Sequence, residues 1–274
     1  MKRVTAFVGS ARKKHTYSAV SQFLKNLQAL GDIECEMVVL SDHRLGTCRG
    51  CRLCFDRGEE LCPLKDDRDA LIEKMMASDG VVFASPNYSF QVSANMKIFL
   101  DRLGYVFHRP RFFGKTFTGI VAQGIYGGFK IVKYLDFVGS GLGFNTVKGS
   151  CINSLEPITD KQQKKTDRVL ARHSRKFYER LMKPGLSTPT LTKLMVFRMG
   201  RTNMKLLLDD GCRDYGYYRD KGWFESDYYY PTRLGVLKKA AGGLFDSIGS
   251  RMAKSRGREL ADSVARLSAA QGRP

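Results

Sequence analysis

The sequence predicts an α/β protein: a doubly wound parallel sheet of five strands in the order 2-1-3-4-5, followed by a helical C-terminal extension. Two observations carry this reading. Strand-like and helix-like segments alternate through the first 150 residues, the pattern of strand–helix–strand crossovers covering both faces of a sheet. After Pro184-Gly185 the alternation stops, and only helical and aromatic-rich segments follow.

The elements follow in order. Arg3 to Val8 reads as a buried strand, and a helix from about Tyr17 to Leu30 carries Val20, Phe23, Leu24 and Leu27 on one face. Ile33 to Leu40 is a second strand. Asp66 or Asp67 is placed to cap a helix bearing Leu71, Ile72, Met75 and Met76. Gly80 to Ser85 is a third strand ended by Pro86, and Val92, Met96, Phe99, Leu100 and Leu103 recur at helical spacing. Phe117 to Ala122 is a fourth strand, Phe129 to Leu142 a helix, and Phe144 to Ile152 a fifth strand. A basic helix spans Asp160 to Met182, with Leu170, Phe177 and Leu181 inward. Leu234 to Lys254 is again helical, and Ser255 to Pro274 is a polar tail expected to fray.

Composition bounds the function. Hydrophobic residues make up 43% of 274 residues, enough for a packed core, while the net charge is +19. That charge is +7 up to residue 150 and +12 in the shorter remainder. Such a balance favours phosphorylated cofactors, nucleic acid or anionic lipid, and it aids solubility. No apolar run approaches the ~20 residues of a membrane span, and the N-terminus lacks the pattern of a signal peptide. Seven cysteines, four of them between Cys48 and Cys62, suit a reducing compartment, and a cytoplasmic location is expected.

Three loops follow strand ends, where ligands bind in this architecture. Gly9 to Ser18 offers backbone amides, hydroxyls, a guanidinium and a helix N-terminus to a phosphate. It lacks both the dinucleotide GxGxxG and the Walker Gly-Lys-Ser/Thr patterns. Ser85 to Gln91 has Pro86 to fix a turn and Tyr88 and Phe90 to pack on a planar ligand; the same aromatics could simply fill core. Ala122 to Gly128 carries glycines that permit close backbone approach or merely punctuate the chain. A fourth signal is Cys48-x2-Cys51-x2-Cys54-x7-Cys62-Pro63. Its first three cysteines match ferredoxin spacing and its seven-residue gap does not; a cubane cluster, a zinc site and free thiols all remain open.

Taken together, the loop Gly9–Tyr17, the cysteine block leading into Pro63-Leu64-Lys65-Asp66-Asp67, and Ser85-Pro86-Asn87-Tyr88 through Asp101-Arg102-Leu103 resemble the NADPH-dependent FMN reductase and iron–sulfur flavoprotein group. The resemblance covers roughly residues 3–180. It implies a flavodoxin-like FMN-binding domain over 1–184, with the helical extension over 185–274. It implies FMN bound by its phosphate at Ser10, Arg12 and Thr16. The flavin ring would lie against Pro86, Asn87, Tyr88, Ser89 and Phe90 and against Gln123, Gly124 and Gly127. It implies NAD(P)H as co-substrate, with the chemistry carried by FMN and no catalytic side chain named. Cys48, Cys51, Cys54 and Cys62 are the candidate ligands of a [4Fe–4S] cluster. Lys14-His15 stands where a Gly-Asn or Ser-Asn pair is common in the group, so His15 has no assigned role.

The function expected is an FMN-dependent NAD(P)H oxidoreductase passing electrons to a quinone, another small acceptor or a redox protein. The alternative is an iron–sulfur flavoprotein that transfers electrons without nicotinamide. A basic module binding nucleic acid or a membrane surface rests on charge alone. The remaining features have plainer readings. His43, His108 and His173 are lone histidines on unrelated segments, and Cys35 and Cys151 sit at packed strand positions. Trp223 with Tyr228, Tyr229 and Tyr230 suits local packing, or a lid near a flavin edge. Leu237, Ala241, Leu244, Ile248 and Met252 form an apolar stripe expected to pack inward or against a second subunit, and a homodimer is expected.

Overall fold

A computed structural model describes residues 1–183 and 185–271. The chain forms two compact units, one of residues 1–50 and 63–186, the other of residues 51–62 and 187 onward. Pro184 and the last three residues of the tail, 272–274, lie outside the described residues.

In the first unit, β1 (Lys2–Val8), β2 (Ile33–Val39), β3 (Gly80–Pro86) and β4 (Thr116–Gln123) pair in parallel in the order β2-β1-β3-β4. The fifth position is shared by β5 (Asn145–Thr146) and β6 (Ser150–Asn153), both paired to β4. This is the expected flavodoxin-like order. Side chains of a strand alternate between faces. Val4, Ala6, Val8, Val82, Ala84, Ile120 and Ala122 therefore share one core with Phe23 and Leu27 of α1 (His15–Gln28). Residues 7, 83 and 117 put a block of phenylalanines on the other face, where Phe7 stacks on Phe99 and Phe83 meets Phe117 edge-on at 5.0 Å. Burying one such ring contributes about 2–3 kcal/mol, more than a surface ion pair.

The expected single strand Phe144–Ile152 is broken. Phe117 pairs with Thr146 and Ile120 with Ser150, so three residues, 147–149, oppose two. That is a bulge, and its cause is local. Asp136 of α5 (Gly128–Gly141) takes the Gly149 amide out of the ladder at 3.1 Å. Gly149 also lies so close to the Gly119 carbonyl that a Cβ would stand 2.5 Å from it.

Two further expectations need correction in this region. The short turn α2 (Leu53–Asp56) precedes α3 (Arg68–Ala77), and Asp67 stands at the N-cap of α3 without a capping bond. The Asp67 carboxylate instead accepts from the Arg44 amide at 2.7 Å. Asp66 does accept from the Arg68 amide, but it mainly joins Arg102 of α4 (Ala94–Arg102) in a buried ion pair at 2.6 Å. The Arg102 guanidinium also donates to the carbonyls of Gly46 and Leu64, so this pair pins both ends of the cysteine-bearing segment. Met76 faces solvent, because the buried face of α3 is made by Arg68, Leu71, Ile72 and Met75.

The basic helix α6 (Asp160–Leu181) starts at a capping box formed by Thr159 and Gln162 and packs beside α1. Its His173 is buried between the Thr118 hydroxyl and the Ser150 hydroxyl, each at 2.7 Å. Thr118 donates its proton to the Val147 carbonyl, so its oxygen accepts from His173 Nε2–H, and Ser150 donates to Nδ1. The ring is thus held neutral across the bulge.

In the second unit, α7 (Leu191–Leu207) packs against α9 (Val236–Gln271), and α8 (Arg213–Asp220) contributes Tyr218. Phe197, Tyr218, Trp223 and Tyr228 are buried together, and Trp223 Nε1 donates to the Tyr229 carbonyl at 2.9 Å. The tyrosine cluster is therefore core of its own unit. The apolar stripe on α9 is not: Leu237, Leu244 and Met252 are more than half exposed. The opposite face, with Gly242, Gly249 and Ala253, is the buried one. A Cβ at Gly249 would stand 3.3 Å from Met199 Cα, so glycine keeps the helices close there, and Asp246 draws α9 onto Arg198, Arg201 and Thr202 of α7. The helix also runs on through the expected polar tail to Gln271.

Burial lowers the His173 pKa to about 4, against 6.5 in an unfolded chain. Below pH 6.5 the unfolded chain takes up a proton that the folded one refuses, so stability falls as pH drops, and the loss levels off near pH 4. The expected loss is about 2 kcal/mol by pH 5 and about 3 by pH 4. Urea unfolding at pH 7 and pH 5 checks this, and His173→Gln should flatten the difference.

Candidate functional site

The carboxyl ends of β1, β3, β4 and β6 open on one side of the sheet, and the loops that leave them are tied together in series. The Gly9 amide donates to the Ala84 carbonyl at 2.8 Å. Ser93 Oγ donates to the Gly9 carbonyl at 2.7 Å, and the Ser93 amide donates to Ser85 Oγ at 2.8 Å. The Asn87 amide donates to Ala122, and the Ser154 amide to Gln123, both at 2.7 Å.

Between these loops lies a cavity of about 240 Å³, lined by Ser10, Arg12, Lys14, His15, Thr16, Pro86, Asn87, Tyr88, Ala122, Gly124, Ser154, Leu155 and Glu156. One side of it is built by the start of α1. Lys14 occupies the N-cap position, and no side chain caps the helix, so the first-turn amides and the positive end of the helix dipole are open to a ligand. Ser10 Oγ donates to the Arg12 carbonyl at 2.9 Å, which curls the loop, and Thr16 is buried at its base. His15 Nε2 and the Glu156 carboxylate meet at 2.8 Å, with Lys14 Nζ at 3.9 Å from the same oxygen. The His15 hydrogen bond, then the Lys14 and His15 charges, lower the Glu156 pKa, so Glu156 is an anion standing beside the uncapped helix start.

The opposite wall is a two-residue hairpin. Tyr88 and Gln91 pair as a β-bridge, and Ser89 and Phe90 between them both have positive φ, 48° and 62°. Two such residues make a type I′ turn, which ordinarily takes Asn-Gly. Here a bulky residue holds the left-handed conformation, at a cost of about 1–2 kcal/mol. The neighbouring loop supports it: the Phe90 ring lies 5.2 Å from the Tyr126 ring, and Asn87 Nδ2 donates to the Tyr126 carbonyl at 2.8 Å. Gly127, at φ 91°, passes so close to Phe90 that a Cβ would lie 2.8 Å from the ring. Asn87 Oδ1 is buried without a hydrogen-bond partner.

Of the residues singled out in the sequence, Ser10, Arg12, Thr16, Pro86, Asn87, Tyr88 and Gly124 line the cavity. Ser89, Phe90, Gln123 and Gly127 do not. The first two form the tip of the hairpin, Gly127 backs Phe90, and Gln123 is consumed internally. Its amide nitrogen donates to Asn153 Oδ1 and its oxygen accepts from the Gly128 amide at 2.7 Å. Sequence reasoning missed Ser154, Leu155 and Glu156. The signal was the same one used for the other loops, since they follow the last strand of the sheet.

The four clustered cysteines are not gathered. Cys48 and Cys51 are exposed, Cys54 and Cys62 half-buried, and among the described residues no three His, Cys, Asp or Glu side chains are placed to hold a metal ion. Residues 47–52 form no regular structure, and Gly50 and Arg52 have φ of 65° and 64°. Burial raises the thiols of Cys35 and Cys151 to about 11, so these two are inert packed groups, as expected. No helix is long and apolar enough to cross a membrane among the described residues.

The order Gly9–Ser93–Ser85 leaves no room for a side chain at residue 9. A Cβ there would stand 2.5 Å from Ser93 Oγ and 2.8 Å from Met96 Cβ. Gly9→Ala should therefore cost about 1–3 kcal/mol of stability in thermal or urea unfolding.

Comparison with known proteins identifies the family and supports the fold. The family model of NADPH-dependent FMN reductases matches residues 2–154. An iron–sulfur flavoprotein of Archaeoglobus fulgidus is 33% identical over 161 residues, which cover 54% of this chain and 70% of that protein. An iron–sulfur flavoprotein of Methanocaldococcus jannaschii is 35% identical over 100 residues, covering 36% of this chain and 51% of the relative, so the match spans about half its length. Among solved structures, RosB with bound 8-demethyl-8-formylriboflavin-5′-phosphate superposes with a TM-score of 0.53 at 13% identity. That match covers 86% of this chain and 92% of RosB.

Proposed function

On the premise that this chain belongs to the NADPH-dependent FMN reductase family, whose cofactor is FMN and whose co-substrate is NAD(P)H, we propose that the cavity at the strand ends holds FMN and that the protein passes electrons from NAD(P)H to a quinone or another small acceptor. The observation that carries the reading is the uncapped start of α1, with Arg12 and Thr16 beside it, facing the strained hairpin across one cavity. The residues fit the group. A phosphate satisfies the first-turn amides and the Arg12 guanidinium. The orphaned Asn87 Oδ1 offers an acceptor to a heterocycle N–H, and Gly124, with no heavy atom within 4 Å of its Cβ position, leaves space for a flat ring.

When bound, FMN would supply the redox chemistry, hydride acceptance from the nicotinamide and electron delivery to the acceptor. The chain's own residues bind and orient. Ser93 fixes the spacing between the phosphate loop and the hairpin, and Asn87 and Tyr126 lock the hairpin to the loop after β4. Glu156 holds Lys14 and His15 until the phosphate competes for them. Tyr88, Phe90, Ile125 and Tyr126 are exposed at the rim, an apolar edge suited to a planar organic acceptor. The exposed stripe Leu237–Met252 supports the homodimer expected from sequence, since a second copy would cover it.

The test is binding followed by turnover. FMN should quench on titration into apoprotein. Arg12→Ala should weaken its retention by about 1.5–3 kcal/mol, whereas Glu156→Gln should tighten it. The FMN-loaded protein should oxidise NADPH with a benzoquinone as acceptor. Absence of FMN binding to the intact chain would sink this reading.

A second reading rests on the cysteines. We propose Cys48, Cys51, Cys54 and Cys62 as ligands of one [4Fe–4S] cluster. The donor type and first spacings fit, and two relatives are named as iron–sulfur flavoproteins. Because the thiols are not gathered beforehand, the segment between the ends pinned by Asp66 and Arg102 would fold around the cluster. Anaerobic reconstitution should give about four iron per chain, and Cys51→Ser should lose most of it with FMN retained. Iron near zero in the intact protein rejects the cluster.

A further inference from the structure

A second cavity, of about 490 Å³, lies between the bulge of the fifth strand and α6. It shares no lining residue with the flavin-side cavity. It is lined at the amino end of β6, whereas the flavin-side cavity takes residues 154–156, beyond the carboxyl end. Its floor is Val147, Gly149, Ser150, Val169 and His173, and its rim is Lys148, Lys165, Arg168, Arg172 and Lys176.

The rim is a product of helical spacing. Residues 165, 168, 172 and 176 recur at three- and four-residue intervals and stack on one face over three turns, about 16 Å. Lys148 faces them from the bulge. Among the described residues none of the five forms an ion pair. The carboxylate that acts on Lys148, Asp136, is committed to the Gly149 amide. Asp167, the acid within this stretch of α6, accepts from Gln163 and lines a different hollow. A solvated basic helix face would be convex and interleaved with acids. This one borders a hollow of the size that small ligands fill, with valines at the bottom.

His173 offers nothing to a ligand, because both ring nitrogens are bonded to Thr118 and Ser150. Recognition would come from the rim charges and the apolar floor. We propose that this cavity is a binding site, separate from the flavin site, for a phosphorylated small molecule with an apolar or aromatic body. Phosphates would sit on Arg168, Arg172 and the three lysines, and the body would rest on Val147 and Val169. A bare polyphosphate reaches the rim alone and binds more weakly. Extended nucleic acid cannot place its backbone on the rim and a base on the floor at every step, so a small ligand is favoured.

The test uses the full chain saturated with FMN, at physiological salt, with adenosine triphosphate and inorganic tripolyphosphate as probes in calorimetric titrations. Adenosine triphosphate should bind one to one, at least about tenfold tighter than tripolyphosphate. The Arg168→Gln/Arg172→Gln double variant should lose at least about tenfold in affinity for both probes. Val169→Gln should weaken adenosine triphosphate and leave tripolyphosphate unchanged. Arg12→Ala should leave both unchanged, and thermal unfolding verifies that each variant is folded. Three results would overturn the proposal: no saturable binding, binding lost with Arg12→Ala instead, or tighter binding of a 20-nucleotide single strand than of adenosine triphosphate.

Discussion

The close approach of Gly9 to the start of α4, sealed by Ser93, is the contact on which the site depends. β1 sits between β2 and β3, so its carboxyl end is where the chain's successive crossovers diverge and leave a crevice. That crevice has a fixed width only if the loop after β1 is held to the loop after β3. One serine does this with its hydroxyl on Gly9 and its amide on Ser85, while also accepting the Met96 amide as helix cap. The loop after β1 and the hairpin are then set by the same few atoms. Small changes there reach both halves of the cavity.

Two local tensions mark the same cavity. The hairpin places Ser89 and Phe90 in a conformation that glycine adopts freely, and the neighbouring loop pays for it through Tyr126 and Gly127. The loop after β6 places Glu156 beside Lys14 and His15, at a helix start that favours anions. Both arrangements are poorer for the empty protein than simpler alternatives would be. Both suit the flat ring and phosphate of the proposed FMN.

The bulge in the fifth strand links buried and exposed features. Asp136 and Gly119 displace Gly149, the displacement lets Thr118, Ser150 and His173 form a neutral buried network, and the hollow it leaves is rimmed by α6 cations. In the second unit, glycines have a comparable effect. Gly242 and Gly249 let α9 lie close on α7, so the face richest in large apolar residues is left outside.

The sequence by itself determined the strand order, the helices of the first unit and the loops that converge at the strand ends. Periodicity and turn residues are local, and a right-handed parallel crossover leaves few alternatives once they are read. Seven of the eleven proposed flavin-site residues line the cavity for the same reason, since a strand end fixes where its loop begins. The tertiary structure alone decided which side chains remain available. Gln123 is spent on Asn153 and Gly128, Asp66 on Arg102, and Glu156 reaches across from the loop after β6, 141 residues away from His15. It also decided which face of α9 is buried, because glycine contact and the Asp246 ion pairs outweighed the apolar stripe that periodicity alone weighs. Those are competitions between groups far apart in the chain, and no spacing rule records their outcome.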